Sequence, residues 1–429
     1  VVVLGGGPTG AIAGLRAARA GLRAVVLEQG RHPRFHIGES MLPMNMQVIR
    51  DLGLEDGLRT VPQVPKLGGT FMLGHETETA DFRFDNGLID GAPATFNVER
   101  APFDAFLIDA ARDAGAEVRQ DVTVRSVDRL EDGAVTVTTR AGDGTTGTVS
   151  GKYLIDASGQ GTVVGRHLGT RRALPDLKKV AYFEHYEGVR RKDGDRAGFA
   201  VVVMCREGWF WFIPLNDRLT SVGLVMDAGI AAEIGVSPKK MLAWGLSRSP
   251  AARWWTEHAT GPAENRITAD FSYTCKPYAG PGYFLAGDAA TFVDPIFSTG
   301  VCLGMKTAIE AADGIAAILR GTATPARVRH DYVKTVEGST EVFFRLVRTS
   351  YRHEFRELFL HGEGPFQTRR ALVSVLSGFV FPRPVWSVRW RLALFHGLVA
   401  IHRMFPIVRR RQQFSLIEGR TTDDRTNVG

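Results

Sequence analysis

The chain has 429 residues, of which 44% are hydrophobic, 9% aromatic and 23% charged. This composition excludes a disordered, collagen-like or small disulfide-stapled protein and is typical of a globular chain with two or three compact units. The net charge of +7 lies almost wholly in the segment from residue 365 onward, which carries eleven arginines and three acidic residues, so a nucleic-acid-binding protein is not indicated.

The arginine-rich end of the chain has two interpretations, and the sequence leaves both open. The first is a solvated helical face on which arginine stems cover apolar surface, which is the more common case. The second is a docking face for an acidic partner, with Arg409, Arg410 and Arg411 as its densest part.

Features that would place the chain in a membrane or a secretory compartment are missing from the sequence. Residues 1–4 are apolar without a preceding basic segment, which does not fit a secretory signal. The apolar stretch at residues 392–408 is interrupted by His, Arg and Pro. Cys205, Cys275 and Cys302 lie too far apart in sequence for a disulfide framework or a zinc site. We therefore expect a cytoplasmic chain without a transmembrane segment or a structural metal.

The first thirty residues predict a strand, a glycine-rich turn, a helix and a second strand. Residues 1–4 are typical of a buried parallel strand, and residues 11–21 are rich in Ala and Leu, as a crossover helix is. Residues 24–27 form the second strand, which ends at Glu28. The turn Gly5-Gly6-Gly7-Pro8-Thr9-Gly10 fits the fingerprint of a dinucleotide-binding βαβ unit.

Each part of this fingerprint has a physical role. Gly5 permits the tight turn, Gly7 lets the backbone approach a pyrophosphate, and Gly10 allows the helix to pack close to the strand. The N-terminus of the helix presents free N–H groups to the phosphates. Glu28 is placed to accept hydrogen bonds from ribose hydroxyls.

Elements farther along the chain complete the predicted architecture. Apolar strands at residues 153–159 and 283–290 end in small residues, and the second of them carries the pair Gly287-Asp288 before a helix at residues 300–320. Residues 227–249 indicate a helical addition, and the chain from residue 330 onward is mostly helical, with breaks at prolines. Runs of strand length in the middle of the chain predict an antiparallel sheet: residues 70–84, 180–187, 199–204, 210–214 and 220–226.

Four short motifs narrow the chemistry. They are Gly38-Glu39-Ser40-Met41-Leu42-Pro43, the segment Pro65-Lys66-Leu67-Gly68-Gly69-Thr70-Phe71, the Trp-x-Trp-x-Ile-Pro pattern of residues 209–214, and the Phe-x-x-Pro-x-x-Ser-x-Gly pattern of residues 292–300. In these motifs, and over roughly residues 1–350, the sequence resembles the flavin-dependent halogenases. The resemblance is to the branch that acts on phenolic or pyrrolic substrates, often while these are tethered to a carrier protein. The family usually has serine at the position of Thr299, a change that keeps the hydroxyl.

The resemblance implies an α/β, or α+β, two-domain flavoprotein. Its parts are a Rossmann-type FAD-binding domain of the glutathione-reductase and p-hydroxybenzoate-hydroxylase type, an antiparallel-sheet substrate domain and a helical C-terminal region. We expect the FAD-binding domain at residues 1–65, 99–175 and 266–330, the substrate domain at residues 66–98 and 176–265, and the helical region at residues 331–429.

The resemblance also implies roles for individual residues. Lys66 is the catalytic residue, and a buried amine there can lose its proton by desolvation. The halide-binding residues, whose backbone N–H groups can form a small anion-binding nest, are Ser298, Thr299 and Gly300. The wall that separates flavin from substrate is formed by Trp209, Trp211, Ile213 and Pro214, and the two tryptophans share one strand face. The FAD-binding residues are Gly5, Gly7, Pro8, Thr9, Gly10, Glu28, Gln29, Gly38, Glu39, Ser40, Arg100, Val124, Gly287, Asp288, Pro295, Gly300 and Val301.

The implied reaction uses FADH2 and O2 to oxidise chloride or bromide to hypohalous acid, which Lys66 delivers to an electron-rich aromatic ring. A second glycine fingerprint of the nicotinamide type is missing from the sequence, so the FADH2 would come from a separate flavin reductase. The substrate would be a small aromatic molecule, free or on an acyl or peptidyl carrier protein. Free tryptophan is disfavoured, because the chain is shorter than the tryptophan halogenases.

Three alternatives share parts of this pattern. A flavin-dependent aromatic monooxygenase would lack Lys66 and the tryptophan wall. A geranylgeranyl-reductase-like flavoprotein would share the Gly-Glu-Ser and Gly-Asp features without a halide loop, and a non-catalytic flavoprotein would bind FAD without a halide-dependent product. The base that accepts the substrate proton is not identified by the sequence, since His185, His353 and His361 are candidates only by residue type.

Overall fold

The structure is a computed structural model that describes residues 1–91, 93–269 and 272–421. Small parts of three predicted segments lie outside the described residues: Ala92 in 66–98, Asp270 and Phe271 in 266–330, and residues 422–429 in 331–429. Within the described residues the chain folds into two main β-sheets with helices packed against them.

Strands and helices are numbered in chain order. The strands are β1 (Val2–Leu4), β2 (Val25–Glu28), β3 (Gln63–Lys66), β4 (Gly68–Leu73), β5 (Ala80–Arg83), β6 (Thr95–Val98), β7 (Glu117–Gln120), β8 (Val122–Glu131), β9 (Ala134–Ala141), β10 (Thr146–Gly151), β11 (Leu154–Asp156), β12 (Arg171–Ala173), β13 (Lys179–Glu187), β14 (Ala200–Met204), β15 (Gly208–Pro214), β16 (Leu219–Asp227), β17 (Arg266–Ala269), β18 (Tyr273–Cys275), β19 (Ala279–Gly280), β20 (Tyr283–Leu285), β21 (Thr291–Phe292), β22 (Phe414–Ser415) and β23 (Arg420–Thr421). The helices are α1 (Pro8–Arg19), α2 (Pro43–Asp51), α3 (Glu55–Leu58), α4 (Arg100–Asp113), α5 (Val163–His167), α6 (Ala228–Glu233), α7 (Met241–Arg248), α8 (Pro250–Trp255), α9 (Gly300–Leu319), α10 (Pro325–Ser350), α11 (His353–His361), α12 (Thr368–Leu376) and α13 (Trp386–Met404).

The first main sheet has six strands in the order β19-β20-β11-β1-β2-β7, and all neighbours except β19 and β20 are parallel. Strand β1 pairs Val2 with Leu154 on one side and with Val25 on the other. Every residue of β1 is buried, because residues of α1, α4 and α9 pack into the same apolar core. The predicted βαβ unit is confirmed. Its helix begins at Pro8, and proline suits the first helical position because the N–H group that it lacks would have no acceptor within the helix.

The second main sheet has seven strands in the order β17-β13-β16-β15-β14-β4-β5. All neighbours are antiparallel except β14 and β4, which are parallel. Edge strand β17 begins at Arg266, so the sheet extends past the boundary predicted at residue 265. Alternate residues of β15 enter two apolar clusters: Trp209 and Trp211 belong to one, and Phe210 and Phe212 to the other.

Helices α10 to α13 form most of the C-terminal region, as predicted, and they pack on the tryptophan side of the second sheet. Phe343, Phe355 and Phe395 share one apolar cluster with Trp209 and Trp211. We call this the tryptophan cluster. None of the helices formed by residues 1–91, 93–269 and 272–421 has the length and apolarity needed to cross a membrane.

Two of the three clustered arginines at the end of this region are engaged within the chain. Arg410 donates to the carboxylate of Glu357 at 3.0 Å, and Arg411 donates to those of Glu76 at 2.9 Å and Glu78 at 3.1 Å. Glu357 is buried, so these contacts fix the segment after α13 to the body of the chain. The docking interpretation of this triplet is weakened, because two of its charges already stabilise the fold.

The packing of the first glycine turn generates a stability prediction. A Cβ atom on Gly10 would lie 1.8 Å from the carbonyl oxygen of Gly5, which belongs to the backbone and cannot rotate away. Gly10→Ala should therefore lower the free energy of unfolding by about 3 kcal/mol, as measured by urea denaturation. Gly147→Ala is the matched control, since the nearest atom to its Cβ is Oγ1 of Thr139 at 3.6 Å. An equal loss in both variants would contradict the packing argument.

Candidate active site

The glycine turn between β1 and α1 leaves its backbone accessible on one side. Gly5 has a φ of +93°, a left-handed conformation that side chains rarely adopt. The one atom that a Cβ on Gly7 would approach is Nη2 of Arg34, 3.8 Å away, so space for a ligand lies above this glycine. Helix α1 begins at the next residue, Pro8, and its free N–H groups therefore start at the same place.

Glu28, at the end of β2, is held by backbone donors. Its carboxylate accepts hydrogen bonds from the N–H groups of Gly6 at 2.6 Å and Gly30 at 2.8 Å, and Arg34 pairs with it at 3.2 Å. Glu28 is 3% exposed, and its oxygens can accept further hydrogen bonds from a ribose. Arg34 is an additional candidate for contact with a phosphate, which the sequence pattern does not reveal.

The Gly-Asp turn meets the first glycine turn. A Cβ on Gly287 would lie 2.7 Å from Oγ1 of Thr9, so the two turns are in contact. Asp288 lies beside the N-terminus of α9, because its Oδ1 is 3.5 Å from the Cβ position of Gly300. Burial raises the pKa of Asp288 to about 7, and the charge of Arg100 opposes this rise only in part.

Arg100, at the start of α4, connects that helix to the Gly-Glu-Ser segment. Its guanidinium donates two hydrogen bonds to Asp104, at 2.7 and 2.9 Å. It also donates to the carbonyl oxygens of Ile37 at 2.8 Å and Gly38 at 3.3 Å. These contacts hold the loop that leads into Glu39, while contact of Arg100 with FAD phosphates stays a prediction.

The Gly-Glu-Ser segment places a buried carboxylate against a histidine of the second sheet. Oε1 of Glu39 lies 2.7 Å from Nε2 of His185 on β13, while Oε2 is buried without a hydrogen-bond partner among the described residues. Burial alone would lower the pKa of His185, but the hydrogen bond and charge of Glu39 outweigh it and raise the pKa above its ordinary value. An unpartnered buried oxygen is an acceptor that a bound molecule can satisfy.

Lys66, the last residue of β3, is 4% exposed. Its ammonium group donates to Oγ of Ser40 at 2.8 Å and to the carbonyl oxygen of Met41 at 3.0 Å, and it lies 5.2 Å from the centre of the Phe84 ring. Desolvation by burial lowers the pKa of Lys66 to about 7, so the amine and ammonium forms are both populated near neutral pH. The structure thus brings two of the four motifs into direct contact.

Trp209 and Trp211 lie side by side on β15, as predicted, with ring centres 5.8 Å apart. Both side chains are buried. The indole N–H of Trp209 donates to the hydroxyl of Tyr351 at 3.1 Å, and that of Trp211 donates to Oγ of Ser221 at 3.0 Å. Because both N–H groups are paired inside the chain, the two rings are fixed as a rigid apolar surface.

The predicted halide loop, residues 292–300, ends in a left-handed turn. Ser298 has φ and ψ of +57° and 34°, and Thr299 follows with −86° and −20°. A left-handed residue next to a right-handed one turns successive backbone N–H groups toward a common point, which makes an anion-binding nest. Helix α9 begins at Gly300, so the positive end of its dipole lies at the same point.

The remaining predicted residues lie around these parts. Gln29 is exposed after β2, Val124 lies on β8 at a register shift, Ile213 and Pro214 end β15, Pro295 lies in the halide loop, and Val301 is in the first turn of α9. Of the three candidate histidines, the described contacts bring only His185 to a predicted FAD-binding residue. His353 contacts the carbonyl oxygen of Arg411 at 2.7 Å, and His361 ends α11.

Comparison with known proteins assigns this arrangement to a family. The sequence profile of the family described as FAD binding domain matches residues 1–334. The 1H-pyrrole-2-carbonyl-(peptidyl-carrier protein) brominase of Pseudoalteromonas luteoviolacea is 33% identical over 325 residues, which cover 75% of this chain and 78% of the relative. The flavin-dependent halogenase armH3 of Armillaria mellea is 31% identical over 374 residues, which cover 82% of this chain and 74% of the relative. The chain is a flavin-dependent halogenase.

The fold of this halogenase has solved counterparts. The flavin-dependent brominase Bmp2 superimposes with a TM-score of 0.82 at 27% identity, over 94% of this chain and 98% of that chain. A flavoprotein/dehydrogenase from Cytophaga hutchinsonii superimposes with a TM-score of 0.85 at 25% identity, over 94% of this chain and 99% of that chain. Since proteins of different description share the scaffold, the halogenase chemistry depends on site residues rather than on the fold.

In this halogenase the tryptophan wall and the halide loop are joined by a residue that the sequence motifs do not reveal. Tyr351, just after α10, accepts a hydrogen bond from Trp209 and donates one to Oδ2 of Asp294 in the loop, at 2.6 Å. Oδ1 of Asp294 accepts the N–H of Ile296 at 3.1 Å, and the ammonium group of Lys179 lies 4.2 Å from the centre of the Tyr351 ring. Asp294 is buried, so this network fixes the loop relative to the wall.

A row of phenylalanine rings connects the halide loop with the lysine. Ring centres are 5.7 Å apart for Phe84 and Phe82, 5.9 Å for Phe82 and Phe71, and 6.4 Å for Phe71 and Phe297. The row begins at the ring beside Lys66 and ends at Phe297, the residue before the left-handed turn at Ser298. All four rings belong to the tryptophan cluster, so both predicted reactive positions border the same apolar interior.

Tyr351→Phe removes one hydroxyl from this network and leaves Oδ2 of Asp294 without its donor. Loss of a buried hydrogen bond costs about 1–3 kcal/mol, so we expect the KM for bromide to rise about tenfold while the affinity for FAD stays unchanged. Steady-state halogenation at varied bromide and quenching of flavin fluorescence measure the two quantities. Tyr182→Phe is the control, because Tyr182 is buried in a different apolar cluster. An unchanged KM for bromide in Tyr351→Phe would contradict the positioning role.

Burial of Lys66 also predicts a pH dependence of stability. The pKa of Lys66 is about 7 in the folded chain and 10.5 as its ordinary value. Between these values the unfolded chain binds more protons than the folded one, so the free energy of unfolding rises with pH. Lys66→Met removes this dependence, so its stability relative to wild type should be highest below pH 7 and should fall as the pH approaches 10. Urea denaturation at pH 6, 8 and 10 measures the difference, and a constant difference would contradict the lowered pKa.

Proposed function

We propose that this halogenase transfers chlorine or bromine to an electron-rich phenol or pyrrole ring through Lys66. The observation that carries the proposal is the burial of Lys66, with a pKa of about 7, between the Gly-Glu-Ser segment and a ring of the tryptophan cluster. Reduced FAD together with oxygen supplies the oxidant that converts halide to hypohalous acid. Every other part of the reaction depends on residues of the chain.

The residues of the two glycine turns fit a bound FAD. The accessible backbone at Gly7 and the start of α1 suit a pyrophosphate, and the carboxylate of Glu28 suits a ribose. The unpartnered Oε2 of Glu39 and the carboxyl group of Asp288 are further acceptors for the cofactor. Arg34 lies where it would neutralise phosphate charge.

The halide loop and the tryptophan wall would separate the oxidation of halide from the substrate. The N–H groups of Thr299 and Gly300, at the N-terminus of α9, bind the anion. Trp209 and Trp211 fill one face of β15 and keep organic substrate away from the loop. The surrounding apolar rings exclude water, so that hypohalous acid is retained until it meets the lysine.

Lys66 can transfer halogen in either protonation state. As an ammonium it donates a hydrogen bond to the oxygen of hypohalous acid and makes the halogen more electrophilic. As an amine it attacks the halogen, a nitrogen–halogen bond forms, and water leaves with the hydroxyl group and one amine proton. The halogen then passes to the aromatic ring, and the ring proton returns to the amine.

The proposal extends to substrate, partners and compartment. The relative from Pseudoalteromonas luteoviolacea is named for a pyrrole on a peptidyl carrier protein, which supports a tethered aromatic substrate here. A separate flavin reductase would supply FADH2, since the sequence contains one dinucleotide fingerprint and FAD uses it. Cys205, Cys275 and Cys302 are buried free thiols, which supports a reducing cytoplasm.

Lys66→Ala tests the proposed function. Purified enzyme with FAD, a flavin reductase, NADH, air and bromide should convert a phenol or a pyrrole-2-carbonyl group to a product with the isotope pattern of bromine. In Lys66→Ala the product should fall at least about 100-fold, while FAD binding and NADH consumption persist. Lys334→Ala, at an exposed position of α10, is the control. Mass spectrometry of the products measures the result.

Two outcomes of this experiment would contradict the proposal. Halogenation by Lys66→Ala at the wild-type rate would remove Lys66 from the mechanism. Incorporation of oxygen without halogen by the wild-type enzyme would instead indicate an aromatic monooxygenase.

A further inference from the structure

A cleft of about 730 Å³ lies between α10 and α13, outside the candidate active site. Its walls include Arg345 and Arg348 on α10, Arg352 just after that helix, and His396 and Val399 on α13. None of the residues assigned above to FAD, halide or halogen transfer lines it. The cleft is therefore free to take a different ligand.

Cations outnumber anions along the cleft. Arg345 and Arg352 make no ion pair with any described residue, whereas Arg348 is paired with Asp176. Of the two glutamates that line the cleft, Glu337 is paired with Lys276 at 2.6 Å, which leaves Glu341 against two unpaired arginines. The cleft thus suits an anionic group.

His396 faces these arginines from the other wall and is uncharged at neutral pH. Burial, together with the charges of Arg345 and Arg352, lowers the pKa of His396 to about 4. Nδ1 of His396 lies 3.4 Å from Oγ1 of Thr349. The hydroxyl of Thr349 donates to the carbonyl oxygen of Arg345 at 2.7 Å, so the donors left for a ligand are the guanidinium groups of Arg345 and Arg352, which suit a phosphate ester.

Two residues that line the cleft connect it to elements of the predicted active site. Thr274 lines the cleft and pairs, on β18, with Thr291 of β21, and the halide loop begins at the next residue. Val399 also lines the cleft and belongs to the tryptophan cluster with Trp209 and Trp211. The cleft and the wall therefore border the same apolar cluster.

The outer face of α13 adjoins the cleft and is exposed. Trp386, at the start of the helix, is 74% exposed, and Met404, at its end, is 68% exposed. Arg389 and Arg403 on the same helix are exposed and make no ion pair with any described residue. Helix α13 contains Arg389, Arg391 and Arg403 and no acidic residue, so a second copy would repel this face, whereas an acidic surface with apolar groups would complement it.

We propose that the cleft binds the phosphate-bearing arm of an acylated carrier protein and that the outer face of α13 docks the acidic body of that carrier. The inference deepens the proposed function and rests on it, because it takes the aromatic substrate to be tethered. The phosphodiester lies beside Arg345 and Arg352, and the acyl end of the arm extends toward the tryptophan wall. Coenzyme A carries the same phosphate-bearing arm, so the test must distinguish the two sources.

Three substrates with one pyrrole-2-carbonyl group separate the contributions: an acyl carrier protein with the acylated arm, the acyl-coenzyme A, and the acyl-pantetheine, which has no phosphate. The double variant Arg345→Ala/Arg352→Ala should raise the KM for the first two at least about tenfold. The KM for acyl-pantetheine and all kcat values should stay within about twofold of wild type. Trp386→Ala should raise the KM for the carrier substrate alone.

Matched controls and a binding assay make the test independent of turnover. Arg327→Ala, at an exposed position in the first turn of α10, and Trp254→Ala, 49% exposed on α8, should behave as wild type. Fluorescence anisotropy with the labelled acyl carrier protein gives Kd, which should rise about tenfold in the double variant and should increase with salt.

The outcomes separate this proposal from the proposed function. Equal KM and Kd in wild type and the double variant would overturn it, as would equal effects on acyl-pantetheine. Sensitivity with acyl-coenzyme A but not with the carrier would assign the cleft to free coenzyme A esters and overturn the docking. Binding to phosphatidylserine vesicles that Trp386→Ala abolishes, with unchanged carrier Kd, would assign the α13 face to a membrane instead. No halogenation of any substrate, with carrier binding still sensitive to the variants, would overturn the proposed function and support the docking site.

Discussion

Exclusion of water from the tryptophan cluster is the constraint on which the candidate site depends. The cluster lies between the second sheet and the C-terminal helices and includes the wall, part of the halide loop and the ring beside Lys66. In this medium of low dielectric constant the charged form of the amine is disfavoured, so the pKa of Lys66 falls to about 7. Exclusion of water also makes an unpaired polar atom destabilising. This explains why both indole N–H groups and the carboxylate of Asp294 have hydrogen-bond partners.

The two sheets position different parts of the site, because the first sheet is mainly parallel and the second is mainly antiparallel. Strands β1, β2 and β11 are parallel and end at one edge, where the first glycine turn and Glu28 lie. The second sheet is mainly antiparallel, and the alternation along β15 separates the wall from a second apolar core on the opposite face. Helix α9 joins the two regions, since it begins at the halide loop and packs along α1.

Structural features that depend on neighbouring residues can be predicted from the sequence. Contacts between residues far apart in the chain cannot. The glycine turn, the alternation of β15 and the start of α9 each depend on neighbouring residues, and the structure contains all three. Tyr351 and Trp209 are 142 residues apart, and His185 and Glu39 are 146 apart, so no periodicity or motif relates the members of either pair. Composition also does not reveal which residues contact each other. A run of arginines suggests an exposed face, yet Arg410 binds the buried Glu357.

The division of the chain at the end of the FAD-binding profile has a physical meaning. The profile ends at residue 334, and the predicted FAD-binding residues, Lys66 and the halide loop all precede that point. Tyr351, which fixes the loop to the wall, and α13, which borders the cleft, both follow it. Because the two parts meet at the tryptophan cluster, residues on the outer side of α10 to α13 can vary without disturbing the glycine turns that are predicted to bind FAD. The C-terminal helices therefore lie where they could influence both substrate access and, through Tyr351, the position of the predicted halide loop, whereas the residues predicted to bind FAD and halide all precede them.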